Sequence, residues 1–165
     1  MRVIPYNHET GKLPPTLAKV PFFTRLRGGC LDEILRHSSL IECEPGEIII
    51  REGATGNELY VLLRGRIRIT KQNEEVAVFD AQGQLVGELA VVNQETRTAT
   101  VQAATHAYCL KVEPQFLETL SDEEKGAYFA ALYRFVAEVL SERLAATTKR
   151  LAEVEQELET LKARA

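Results

Sequence analysis

The 165-residue chain lacks the signatures of several protein classes. No apolar run approaches the ~18–20 residues that a membrane-spanning helix needs. The opening MRVIPYNHET has no apolar core segment, so it does not read as a secretory signal. Cysteine is scarce: Cys30, Cys43 and Cys109 stand far apart and form no CxxC. That spacing disfavours an iron–sulfur or structural zinc site and suits reduced, buried thiols in a cytoplasmic protein. His8, His37 and His106 are scattered, and no HxH with a downstream acid is present to hold a metal. GxGxxG and P-loop patterns are absent, and no Ser/His/Asp or Cys/His arrangement can be argued from spacing. A catalytic role is therefore not expected. With 20 Lys+Arg against 24 Asp+Glu the net charge is −4, so the surface as a whole does not suit nucleic acid or an anionic membrane.

Glycine and proline are also unevenly spread. Gly28, Gly29, Gly46, Gly53, Gly56, Gly65, Gly83 and Gly87 fall in the first ninety residues, whereas after Ser121 there is one glycine, Gly126, and no proline. Residues 1–120 and 121–165 thus read as two regions. The first twenty residues, with Pro5, Pro14 and Pro15, read as an extended lead-in. A small helix is expected by residue 38, with Leu31, Ile34 and Leu35 on one side. Residues 40–112 are short apolar runs separated by turns, which predicts an antiparallel sandwich or barrel of about eight strands. Ile67 and Ile69, alternating with Arg66, Arg68 and Thr70, make a half-buried strand. Arg64, Arg66 and Arg68 read as a solvated basic face.

Pro114 opens a short helical turn, and Ser121 starts a long helix. In SDEE, Ser121 is the N-cap and Glu124 the third helical residue of a capping box. The apolar positions Tyr133, Ala137, Leu140, Leu144, Thr147, Leu151, Val154, Leu158 and Leu161 step by 4 and 3, a heptad seam. A stripe this long needs a partner helix. In a parallel pair, Arg150 would face Glu155 and Glu157 would face Lys162 across the seam, both attractive. A parallel homodimer through residues 133–161 is expected, and Thr147 is its polar flaw.

The most informative stretch is 83–101, GQLVGELAVVNQETRTATV. Its residue types suit a small cyclic phosphodiester. Gly87 lets the backbone approach a ligand closely. The N–H groups of Leu89 and Ala90 can receive an anion. Arg97 can grip phosphate oxygens in a two-pronged contact, in a pocket expected to be open to solvent. Glu88 can accept a hydrogen bond from a ribose hydroxyl, and Thr98, Ala99 and Thr100 leave room. The same residues also allow a buried Glu88–Arg97 ion pair that braces a loop.

This stretch and PGEIIIREGATGNELYVLLRGRIRI resemble the cyclic nucleotide-binding domain family over roughly residues 20–120. The resemblance implies an α+β fold: an antiparallel β-roll, a jelly-roll-like double-stranded β-helix, with short flanking helices. It implies that Glu88 binds the ribose 2′-hydroxyl and Arg97 the exocyclic phosphate oxygens. Gly87, Leu89 and Ala90 would give backbone contacts, and Thr98 would touch the phosphate or the base. Val86 stands where the family often has an aromatic, and Thr96 where it often has proline; neither change removes a ligand group. The long helix resembles the coiled-coil dimerisation helix of the bacterial catabolite activator branch. Aligned through Leu144, Thr147 and Thr148 fall where that branch sets a hydroxyl pair against adenine. The implied function is a homodimeric cAMP sensor, with cGMP as the alternative ligand and no cofactor or metal. That branch continues into a DNA-binding domain, and this sequence carries no basic recognition helix. A stand-alone sensor, the effector half of a truncated transcription regulator, and a coiled-coil adapter with an inert β-roll all remain open.

Overall fold

The computed structural model describes residues 1–7, 9–26, 29–88 and 96–164. Among these, nine strands form two antiparallel sheets: the turn spacing predicts an antiparallel sandwich or barrel, and the arrangement is the β-roll that the resemblance implies. One sheet has five strands in the order β1 (Arg2–Pro5), β2 (Ser38–Cys43), β9 (Ala107–Val112), β4 (Leu59–Arg64), β7 (Leu85–Val86). The other has four, in the order β3 (Ile48–Ile50), β8 (Thr100–Ala103), β5 (Ile67–Lys71), β6 (Glu74–Phe79). Each inner face contributes to one core. Ile41, Tyr60, Leu62 and Cys109 come from the first sheet, and Ile50, Ile67, Phe79 and Val101 from the second. The three cysteines are buried and free. Burial pushes the Cys109 thiol up to about 12 and the Cys30 thiol up to about 11, which keeps both protonated at neutral pH.

The lead-in is not simply extended chain. Arg2–Pro5 pairs with β2 in a regular register, from Arg2 opposite Glu42 to Pro5 opposite Ser39. Proline tolerates this place because β1 is the sheet edge, where one side of the strand needs no ladder donor. Helices α1 (Pro21–Arg25) and α2 (Gly29–Arg36) follow, and Leu31, Ile34 and Leu35 of α2 are buried as their spacing predicts. A 3-10 helix, Pro114–Thr119, places Phe116 against Tyr128, ring centroids 4.9 Å apart and edge to face.

Helix α3 runs from Asp122 to Arg164. At ~1.5 Å per residue it is about 65 Å long. Its start is the reciprocal cap read from SDEE: Ser121 N donates to Glu124 Oε2 at 2.9 Å, and Glu124 N donates to Ser121 Oγ at 3.3 Å. The chain divides into two compact units, Met1–Ala131 and Leu132–Ala165, and the division falls inside α3 rather than at its cap. In the second unit the seam residues Leu144, Leu151, Val154, Leu158 and Leu161 are exposed, Leu144 at 68%. No helix among the described residues is long and apolar enough to cross a membrane.

Candidate functional site

Sheet register builds the site. β4 and β7 pair with Tyr60 opposite Val86 and Val61 opposite Leu85. Continued one step past the strand end, that register sets Leu59 against Gly87 and brings Glu58 beside them. Gly87 has φ +89°, a backbone conformation that L side chains rarely adopt. A Cβ there would lie 2.8 Å from the Glu58 carbonyl and 2.7 Å from Arg97 Nη1. The sequence reading has this glycine admit a ligand; in the structure the group that lies close to it is the Arg97 guanidinium.

Arg97 is fixed at both ends. Its backbone is clamped to the turn after β3, with Gly53 N donating to Arg97 O at 2.8 Å and Arg97 N donating to Ala54 O at 2.9 Å. Its Nη1 donates to the Gly87 carbonyl at 3.0 Å. Its Nη2 donates to the Glu58 carbonyl at 2.9 Å and to the Glu58 carboxylate at 2.8 Å. The residue is 5% exposed, so the solvent-open setting expected from the sequence is corrected: the guanidinium is buried among its acceptors. Such a charge has to be paired, because leaving it bare in the interior would cost several kcal/mol.

Of the residues singled out from the sequence, Gly87 and Arg97 are in direct contact. Glu88, next to Gly87, is buried at 3% exposure. Thr98 follows Arg97 and is exposed. Leu89 and Ala90 lie outside the described residues. Thr147 and Thr148 are exposed positions of α3 in the second unit. Among the described residues no group of three or more His, Cys, Asp or Glu is placed to hold a metal ion.

Glu58 is the residue that the sequence does not single out. It stands 39 positions from Arg97, and no spacing rule links them. The only local sign is a carboxylate set between Gly56 and an apolar strand. Its other oxygen, Oε1, lies 3.8 Å from Lys111 Nζ, and Lys111 also donates to Glu113 at 2.7 Å. The row of alternating charges Arg97, Glu58, Lys111, Glu113 runs beside Tyr60. Burial, reinforced by the Glu58 carboxylate, pushes the Tyr60 hydroxyl up to about 12.

Known proteins resemble this chain in sequence and in fold. A cGMP-dependent protein kinase of Eimeria tenella is 31% identical over 102 residues, which are 62% of this chain and 10% of the kinase. A cAMP-dependent protein kinase regulatory subunit of Schizosaccharomyces pombe is 33% identical over 89 residues, 54% of this chain and 22% of that protein. The chain therefore spans less than a quarter of these relatives. The N-terminal domain of a transcriptional regulator from Streptomyces coelicolor A3(2) superposes with a TM-score of 0.61 at 25% identity, covering 79% of this chain and 95% of that one. Residues 40–124 of the 165 match the sequence model described as the cyclic nucleotide-binding domain, and the chain belongs to that family.

Proposed function

We propose that the chain is a cAMP sensor that works in the cytoplasm as a parallel homodimer, with cGMP as the weaker ligand. The observation that carries this reading is the buried Arg97 guanidinium, locked by backbone bonds beside a glycine with φ +89°. A guanidinium placed so is suited to a phosphate, which it can hold by two parallel charge-assisted hydrogen bonds. In this reading Glu88 accepts from the ribose 2′-hydroxyl, and Gly87, Leu89 and Ala90 offer backbone groups. Thr98 bonds the phosphate, and Thr147 and Thr148 meet the adenine. Binding would act by its different affinity for two arrangements of α3.

The dimer part of the reading rests on the exposed seam of α3. A stripe of Leu144, Leu151, Val154, Leu158 and Leu161 in water is costly over this length, and a second copy covers it. Arg150 then faces Glu155 of the partner subunit, and Glu157 faces Lys162 of the partner subunit. Such exposed pairs contribute roughly 0.2–1 kcal/mol each, enough to choose parallel over antiparallel but not to hold the dimer.

One observation favours a second reading. Because Arg97 is paired with Glu58, the pair can serve as a brace in a β-roll that binds no ligand, with the coiled coil recruiting a partner protein. Calorimetric titration with cAMP and cGMP separates the two. The sensor reading expects saturable binding that Arg97→Ala and Arg97→Lys both weaken. The alanine variant should lose about 2 kcal/mol, within the range of one charge-assisted hydrogen bond. Binding unchanged in folded Arg97 variants, or no binding by the unaltered chain, would sink the sensor reading.

A further inference from the structure

Arg97 already holds an anion. Nη2 has two N–H groups, and both go to Glu58, one to its carbonyl and one to its carboxylate. A guanidinium offers an oxyanion two edges with parallel donors: Nη1 with Nη2, and Nε with Nη2. Nη2 belongs to both. Any two-pronged phosphate contact must therefore take a hydrogen that Glu58 now accepts. The carbonyl is fixed at the mouth of β4, so the partner that can yield is the side chain.

We infer that Glu58 is an internal competitor for the phosphate: its carboxylate covers the ligand edge of Arg97, and an anionic nucleotide binds by displacing it. The inference rests on the reading of Arg97 as the phosphate-binding residue, and it adds a residue that sets which ligands the site prefers. Three features support it. The Glu58 side chain is 30% exposed while that of Arg97 is 4% exposed, so the carboxylate has a way out and the guanidinium does not. Lys111 Nζ, 3.8 Å from Glu58 Oε1, is a cation within reach to receive the carboxylate when it turns away. Gly56 leaves the space that the present rotamer needs, since a Cβ there would lie 2.7 Å from Glu58 Oε2 and 3.3 Å from Arg97 Nη2.

The consequence is a charge-dependent penalty. A cyclic monophosphate must break the Arg97–Glu58 contact before it makes its own, so its affinity falls below what Arg97 alone would give. A neutral nucleoside has no phosphate to place and leaves the contact intact. Glu58 thereby narrows the margin by which the site prefers a nucleotide to a nucleoside. A purely structural brace would have no such dependence on ligand charge.

The test is calorimetric titration of the full chain, of Glu58→Ala and of Glu58→Gln, each with cAMP and with adenosine, alongside thermal unfolding. Both variants should bind cAMP more tightly, the alanine variant by roughly tenfold, the worth of one charged hydrogen bond. Adenosine affinity should stay the same. The free variants should melt earlier than the unaltered chain, because Arg97 has lost its partner, and cAMP should restore more of the melting temperature than it does in the unaltered chain. The glutamine variant keeps an acceptor oxygen without the charge and covers the case in which the alanine variant does not fold. Binding of cAMP that is unchanged or weaker in folded Glu58 variants overturns the inference, and if that binding still depends on Arg97, the phosphate reading itself survives. If the unaltered chain and both variants bind neither cAMP nor cGMP, the phosphate reading falls and takes this inference with it.

Discussion

Gly87 lies directly beneath Arg97: a methyl group on its α-carbon would sit 2.7 Å from Nη1, closer than real contacts allow. The same methyl would meet the Glu58 carbonyl at 2.8 Å, and φ +89° would be strained for any L residue. Gly87→Ala should therefore push the guanidinium off its carbonyl acceptor and abolish nucleotide binding in calorimetry. It should also lower stability in urea denaturation by at least the ~1–2 kcal/mol of a left-handed residue. An alanine variant with unchanged affinity would mean that Arg97 does not bind the ligand from this position.

The cap of α3 makes a pH-dependent prediction. The Glu124 carboxyl is held below its ordinary value of 4.5, first by the backbone N–H of Ser121 and then by its hydroxyl. A lowered folded value means that the charged form is the stabilising one. The contribution is complete above the ordinary carboxylate range and is lost as pH falls through the lower folded value. Glu124→Gln should thus be less stable than the unaltered chain at neutral pH, and the gap should close as pH falls through the lowered folded value. Ser121→Ala should cost about 1 kcal/mol at neutral pH, as loss of an N-cap does. Urea denaturation across the pH range checks both, and a gap that widens in acid would contradict the assignment.

The exposed seam of α3 predicts self-association. Leu151 and Leu158 are 57% and 50% exposed, so replacing both with lysine should leave the β-roll intact while putting charge into the seam. Sedimentation at tens of micromolar should show a dimer for the unaltered chain and a monomer for the double variant. Leucine at one set of core positions, Leu144, Leu151 and Leu158, with a β-branched residue at two of the alternate ones, Thr147 and Val154, leans towards higher oligomers in isolated coiled coils. A monomeric unaltered chain would remove the reason for assigning the helix to a homodimer.

What the sequence reveals and what it hides follow from how local each determinant is. The capping box is legible because Ser121 and Glu124 are three residues apart and satisfy each other. The strands of the roll are legible because turns punctuate them and alternation marks a half-buried face, as in Ile67 and Ile69. β1 is not legible. Arg2–Pro5 carries a proline and no buried face, and only its register with β2, set by a strand more than thirty residues on, makes it a strand. The site divides in the same way. Gly87 and Arg97 share one short segment and stand out together, while Glu58 reaches Arg97 only through the pairing of β4 with β7. A buried, ion-paired Arg97 is among the possibilities that its own segment offers, with Glu88 as partner, but two of the three acceptors that enclose the guanidinium belong to Glu58, far away in the sequence.

Base choice is the remaining question, and two sets of threonines point in opposite directions. Thr98 follows Arg97 and is exposed, and a hydroxyl there can reach the guanine amino group when the base lies over the phosphate. Thr147 and Thr148 on α3 instead suit an adenine, whose 6-amino group a hydroxyl can accept from. The helix pair weighs more. Thr147 occupies a seam position where leucine or valine would pack better, and a ligand contact explains the exception, whereas Thr98 can simply bond the phosphate. The preference should be modest, since one neutral hydrogen bond is worth ~0.5–1.5 kcal/mol, roughly three- to tenfold in affinity. Changing Thr147 and Thr148 together to valine should narrow or erase the gap between cAMP and cGMP in calorimetry while Arg97-dependent binding persists. Valine at 147 should also tighten the dimer, because it restores an apolar residue to the seam. If the double variant keeps its full preference for cAMP, the two hydroxyls are packing residues and the base is read elsewhere in the site.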